Sequence, residues 1–526
     1  MINILAPWDN DRVAFEEDIA ANIADLLRRT EQPFTLCTVS FLPDLRHRLH
    51  QIGLLESPWW NAYDAIAGIG LKDGAPADRL DLLWPADVNF LAAPDLTYVY
   101  QQDVLFATCR YSYDHYLNQV DYYDPTGRLS KSETYDDRGF MSRRITFDAD
   151  QQSSTTLYNE FGQLILTITQ DGVQIDPSQR GRFEHMHYDQ FHNLLDEVCA
   201  KQLEQEPDAK LLVIYRQDFD FPTPKILAKH TYDLVIASSE TKIDPNDIWL
   251  HLLTAVSTKV VATDIAASRG IQRAMTDWAL LTEKAIRLIS PYGSDLNLGI
   301  SNELSDMIVY WRMENLSEHD RQVTVTALFD CLLTHDQMVL VASMDSAVDV
   351  TQAQVMQLID GQFNVADRHD DLKIAVAYLK AKRDETPVTN LAQIKQLQKA
   401  ANWSELESAA KVLLRVVIRE RDDHATILST LHTARLLIDL ADQIDPFVQL
   451  AAISAGVPQL VHLKTQYVTD DGNGRVVNNP KELAAGVNFY LEGLYNWNQA
   501  LVYNVAKIER FADRELIKQW QEVLKK

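Results

Sequence analysis

Two clusters of side chains in this 526-residue chain could do chemistry, and one loop could hold a ligand without doing any. Arg46, His47, Arg48 and His50 crowd four basic side chains together on an acidic protein. They form either a seat for a phosphate or an acidic partner, or a solvated helix face. Trp59 and Trp60 follow Pro58; paired indoles stack on a sugar ring, fill a partner's pocket or sit in the core. The loop is Ala451-Ala452-Ile453-Ser454-Ala455-Gly456-Val457-Pro458-Gln459. Ser454 and Gln459 can hydrogen-bond hydroxyl groups, and the backbone around Gly456 and Pro458 can face a ligand; nothing in the run ionises. A plain strand-to-helix connection is the alternative. Ser454, Gly456, Pro458 and Gln459 are thus candidate ligand contacts, and Arg46, Arg48, Trp59 and Trp60 the candidate partner or phosphate contacts.

Several chemistries lack their residues. His185, His187 and His192 cluster, but without convergent ligands they read as a polar surface segment, so no metal site is assigned. There is no Gly-x-Ser-x-Gly elbow, no Walker loop and no Gly-x-Gly-x-x-Gly after the first strand, which disfavours esterase, ATPase and dinucleotide chemistry. Asp471-Gly472-Asn473-Gly474 follows a calcium loop for four residues and then stops, as a tight turn would. No cofactor is expected. The cysteines at 37, 109, 199 and 331 form no CxxC pair and fit free thiols in a reducing compartment. Asp and Glu outnumber Lys and Arg by 75 to 49, a net charge of −26 that disfavours nucleic acid and unaided docking on anionic bilayers. Met1–Pro7 does not read as a signal peptide, and no apolar run is long enough to span a membrane. The expectation is a cytoplasmic protein that reaches a membrane only through partners.

The elements that must position these residues alternate. Ile2–Ala6, Phe34–Phe41, Val88–Leu91, Leu211–Tyr215, Asp233–Ala237 and Lys259–Ala262 read as strands of a parallel sheet, with helices between them. From Tyr98 the texture changes. Tyr123, Tyr135, Phe147 and Tyr158 recur at intervals of 12, 12 and 11, each followed by Asp or Asn and, in three units, by Gly. That is one strand and one tight turn per unit, an antiparallel meander. Its aromatic face either packs on the host domain or docks a partner chain. A second α/β unit starts near Ser290, with strands expected at Val323–Ala327, Met338–Ser343, Ala434–Asp439 and Gln459–Leu463 and helices at Glu482–Leu494 and Trp497–Leu524. The fold class is α/β with two Rossmann-like domains facing a cleft. Residues 1–97 and 173–289 form the first, 98–172 the antiparallel insertion, and 290–526 the second, whose last helices pack there or back on the first.

The Ala451–Gln459 loop resembles the sugar-nucleotide loop of GT-B glycosyltransferases, a resemblance that implies glycan contact by Ser454, Gly456, Pro458 and Gln459. Retaining enzymes carry Glu at the head of that run and a second Glu eight positions earlier; here the positions hold Ala451 and Gln443. More of the chain resembles one family. Pro7-Trp8, Phe41–His50, Trp59–Ile66, Ser290-Pro291-Tyr292, Leu298–Ser301, Tyr467-Val468, Asn473-Gly474 and Asn496-Trp497-Asn498 occur in the order and spacing of the first accessory secretory protein of the Gram-positive accessory Sec system. The resemblance implies a GT-B fold without transferase activity. It also implies partnership with the second and third accessory secretory proteins, the accessory SecA motor and a glycosylated serine-rich-repeat adhesin. Gly293-Ser294-Asp295-Leu296 departs from the family, which has an acidic and then a basic residue after Pro-Tyr. An active transferase that modifies the adhesin, or a chaperone of one, is the competing expectation.

Overall fold

A computed structural model describes residues 1–9, 18–94, 96–112, 116–148, 153–206, 209–217, 219–222, 234–239, 242–257, 259–276, 286–313, 316–344, 346–389, 391–441 and 445–524. The chain divides into two compact units, Met1–Ala262 with Gly270–Arg287 and Gln521–Lys526, and Thr263–Arg269 with Leu288–Trp520.

In the first unit the strands are β1 (Ile2–Ala6), β2 (Phe34–Thr38), β3 (Trp59–Asn61), β14 (Lys210–Ile214), β15 (Leu234–Ser238), β16 (Lys259–Ala262) and β17 (Ile286–Leu288). They form one sheet in the order β17-β16-β15-β14-β1-β2-β3. From β16 to β3 every pairing is parallel. Ile4, Leu212, Val213 and Val235 are fully buried, as strands covered on both faces require. The helices between strands are α1 (Ile19–Arg29), α2 (Leu45–Gln51), α3 (Ala62–Ala67), α4 (Phe191–Gln205), α5 (Ile248–Val256) and α6 (Ile265–Thr276). Asp18 caps α1 by accepting from the amide of Ala21, and Ile19, Ile23, Leu26 and Leu27 bury its inner face.

Ten strands make the second sheet of this unit: β4 (Val88–Ala92), β5 (Leu96–Gln101), β6 (Val104–Tyr111), β7 (Leu117–Tyr123), β8 (Leu129–Tyr135), β9 (Met141–Phe147), β10 (Ser153–Tyr158), β11 (Leu164–Thr169), β12 (Gly172–Ile175) and β13 (His187–Tyr188). Every pairing is antiparallel, in chain order. The sheet therefore runs from Val88 to Tyr188, wider than the expected 98–172, and Val88–Leu91 belongs here rather than to the parallel sheet. The reason is chain length. Three residues separate β4 from β5, enough for a hairpin and far too few for a parallel crossover.

The second unit carries β18 (Met307–Met313), β19 (Met338–Met344), β20 (Val416–Glu420), β21 (Ala434–Asp439), β22 (Gln459–Val461) and β23 (Gly474–Val476), all parallel, in the order β20-β19-β18-β21-β22-β23. Its helices are α7 (Glu318–Thr334), α8 (Val348–Phe363), α9 (His369–Arg383), α10 (Leu391–Leu397), α11 (Trp403–Leu413), α12 (His424–Thr433), α13 (Pro446–Ser454), α14 (Pro480–Leu491), α15 (Leu494–Phe511) and α16 (Asp513–Leu524). The expected strand Val323–Ala327 lies inside α7. Val325, Leu328, Phe329 and Leu332 are buried at helical spacing, a period that a five-residue window cannot display. The strands of this unit that sequence missed are β18, β20 and β23. The expected helix over Trp497–Leu524 is two helices, broken where Ala512 turns extended at ψ 145°.

β18 alternates between two cores. Val309, Trp311 and Met313 pack with α7, α8, α9, α11 and α14, whereas Tyr310 packs with α12 and α13. Among the described residues no helix is long and apolar enough to cross a membrane.

Candidate functional site

In an open parallel sheet, ligands gather at the carboxyl ends of the strands, where the strand order reverses. In the second unit the reversal falls between β18 and β21. The Ala451–Gln459 run does not open there. α13 leaves the carboxyl end of β21 and returns the chain to the amino end of β22, so Ser454, Gly456, Pro458 and Gln459 sit at the opposite edge of the sheet. The connection is helix to strand, not strand to helix.

Each of the four residues has a local role. Gly456 takes φ +74° and closes α13, its amide donating to Ile453 O (3.0 Å) while Val457 donates to Ala452 O (2.8 Å). That amide is therefore not available to a ligand. Pro458 has no N–H, and its carbonyl accepts from Leu437 N at 3.0 Å. Gln459 is fully buried and donates to Gln449 O at 2.9 Å. Ser454, half-buried, accepts from Asp295 N at 3.2 Å. Ala451 lies in the α12/α13 core with Tyr310, Ile427 and Leu431, and Gln443 falls outside the described residues.

At the carboxyl edge, on the α12/α13 side, stands a polar cluster that sequence did not single out. Arg312, next along β18 from Trp311, is buried and pairs with Asp445 at 2.8 Å. Asp445 also caps α13, accepting from Phe447 N and Val448 N. Asp439 ends β21 fully buried, and burial raises its carboxyl above the ordinary range. Gln449 donates to Asp439 at 3.2 Å and accepts from the Thr465 hydroxyl at 2.9 Å. A guanidinium at this edge could neutralise a leaving diphosphate, but Asp445 already balances its charge. The only sequence signal was a charged residue interrupting an apolar strand.

On the other side of the same edge, towards α7, α8 and α14, opens a cavity of about 700 Å³. Met313, Leu440 and Val477 supply apolar wall; Ser317, His462 and Asn479 supply polar groups. Arg321, one turn into α7, lines it while only 7% exposed, and its Nε has no hydrogen-bond partner among the described residues. Reading Val323–Ala327 as a strand concealed this residue.

The first-unit candidates are committed within their own unit. Arg48 pairs with Asp44 at 2.7 Å and donates to Asp9 O at 2.9 Å. Asp9 in turn pairs with Arg216. Arg46 donates to Gly74 O at 3.1 Å. Arg46 and Arg48 thus each hold partners within the first unit. Trp59 lies under the Lys72 ammonium, 3.8 Å from its ring centre, and half-buried Trp60 borders a recess shared with Arg182, Lys201 and Gln202. Among the described residues no group of His, Cys, Asp and Glu is arranged to hold a metal ion.

Two Rossmann-like sheets, the first unit bearing a large antiparallel insertion, define the GT-B class of fold. The solved pneumococcal O-GlcNAc transferase GtfA shares it, with a TM-score of 0.67 at 10% identity over 99% of this chain and 98% of that one. The Gap123 complex of Streptococcus agalactiae contains a chain similar at a TM-score of 0.70 and 20% identity, covering 99% of both. Within that class the chain belongs to the accessory Sec system protein family of accessory secretory protein 1, whose profile matches residues 3–526. Its Streptococcus gordonii relative is 23% identical over 531 residues, 99% of this chain and 95% of that protein. A Staphylococcus aureus relative is 21% identical over 507 residues, 93% and 90% of the two chains.

Proposed function

We propose that the chain is a non-enzymatic component of the accessory Sec machinery. It binds the second and third accessory secretory proteins and a glycosylated serine-rich-repeat adhesin, and delivers the adhesin to the accessory SecA motor. The full-length family match supports the setting. The observation that carries the non-enzymatic part is the state of the α12/α13 side. Its acid position is Ala451 in an apolar core, and its cation Arg312 is already paired with Asp445. Losing a charge-assisted hydrogen bond to a donor hydroxyl costs about 1.5–3 kcal/mol. Partner contact falls to Trp60, beside its open recess.

The intact GT-B frame favours a second reading, an active glycosyltransferase for the adhesin or a chaperone of one. Calorimetry with UDP and UDP-N-acetylglucosamine separates the readings. The non-enzymatic reading expects no saturable heat and no sugar transfer; sub-millimolar binding with turnover replaces it. Copurification tests the rest. Wild type is expected to retain both partner proteins and the glycosylated adhesin, with Trp60→Ala weakening partner capture. Failure of wild type to hold either class of partner ends the proposal.

A further inference from the structure

We propose that the cavity on the α7, α8 and α14 side of the second sheet binds an organic phosphate monoester, with Arg321 as its anion contact. Arg321 carries the inference. The residue is only 7% exposed, its Nε has no partner among the described residues, and no ion pair with a described residue balances its charge. A charged guanidinium N–H sealed from water without a partner is costly, so an arginine is maintained there at the expense of stability unless a ligand completes it. The cavity it lines gives that ligand room.

The remaining groups define the ligand's class. Asp320 also lines the cavity, but its carboxylate accepts from the Ser317 hydroxyl at 2.6 Å and Ser317 caps α7. α14 is likewise capped, by Asn479. α8 begins at Ala347, a cavity-lining residue at φ +65° whose side chain cannot cap, so the positive end of a sixteen-residue helix faces the cavity without a side-chain acceptor from its cap. Among the described residues, Asp349 in that first turn and His319 and His462 at the wall are the other titratable groups nearby. One guanidinium and one open helix end match a monoester better than a diphosphate or a polyanion. A volume of about 700 Å³ far exceeds a phosphate and suits a sugar phosphate or a nucleoside monophosphate. Ser317, Ser346, Asn478 and Asn479 offer hydrogen bonds to a hydroxylated carrier. Arg312 and Ala451 belong to the opposite side of the sheet, so this is not the position where the GT-B resemblance puts donor acids.

The test uses the full chain with inorganic phosphate, glucose 1-phosphate, uridine monophosphate and neutral glucose, read by calorimetry and thermal unfolding. One of the two monoesters is expected to bind saturably and at least about tenfold more tightly than inorganic phosphate, and which one does so identifies the carrier. Glucose is expected to be silent. Arg321→Met is expected to unfold at the same or a higher temperature without ligand and to lose the ligand-induced rise; Arg321→Lys is expected to recover part of it. If both monoesters fail to saturate up to about 10 mM, or Arg321→Met responds as wild type does, or glucose binds as well as its phosphate, the proposal is wrong.

Discussion

At residue scale, one missing or added atom decides what the Ala451–Gln459 run does. A Cβ on Gly456 would lie 2.4 Å from Leu501 Cδ1, and the backbone there holds φ +74°. Gly456→Ala is therefore expected to lower unfolding free energy by about 1–3 kcal/mol in urea titration. The Gly-x-Pro turn was legible, and so was the lack of an ionisable side chain at Ala451. What the sequence could not display was which end of the sheet the loop serves, because that depends on α13 being nine residues long and running edge to edge. Ala451→Glu tests whether a donor site survives beside it. A side chain facing an open nucleotide pocket would accept the carboxylate. In the Tyr310, Ile427 and Leu431 core it is expected to destabilise the unit by about 2–4 kcal/mol and to create no heat with UDP-sugars.

At the scale of elements, the antiparallel sheet was the part most legible in sequence, because its period is written into turn chemistry. Tyr123, Tyr135, Phe147 and Tyr158 each end a strand. Asp124, Asp136 and Asn159 then fold back on the amides two residues on, and Gly127, Gly139 and Gly162 take the positive φ that closes each hairpin. Its attachment was not legible, since it rests on a pairing 74 residues apart. Arg138, in one such turn, grips both oxygens of Asp64 on α3 at 2.8 and 2.9 Å while also holding Asp136. Beside it, Asp137 accepts from His47 N at 2.8 Å, with Asp136, Arg138 and Arg46 near. Burial, with the Asp136 charge, pushes its carboxyl up to about 7. Between the ordinary 3.8 and about 7 the folded chain keeps a proton that the unfolded chain has released, so stability falls as pH rises through that window. Asp137→Asn removes this dependence. Denaturation across the window is expected to show the variant gaining on wild type as pH rises; a constant difference would contradict the shift.

At the scale of the whole molecule, strand-helix alternation revealed the two-sheet plan, because buried parallel strands read as short aliphatic runs wherever they occur. It misplaced elements where composition was mixed. Met307-Ile308-Val309-Tyr310-Trp311-Arg312-Met313 did not stand out as a strand because of the arginine it needs at its end. Charge is a property of the whole chain. At −26, acidic side chains repel one another over distances comparable to the Debye length, about 10 Å at 0.1 M salt. Folding concentrates that charge, so low salt should penalise the compact state more than the expanded one. The midpoint of thermal unfolding is therefore expected to rise as sodium chloride increases from about 0.02 M to about 0.3 M. Buried pairs such as Arg138 with Asp136 are poorly screened and should oppose this only weakly. A midpoint that falls with salt would mean that attractive surface pairs, rather than net repulsion, govern the electrostatics of the fold.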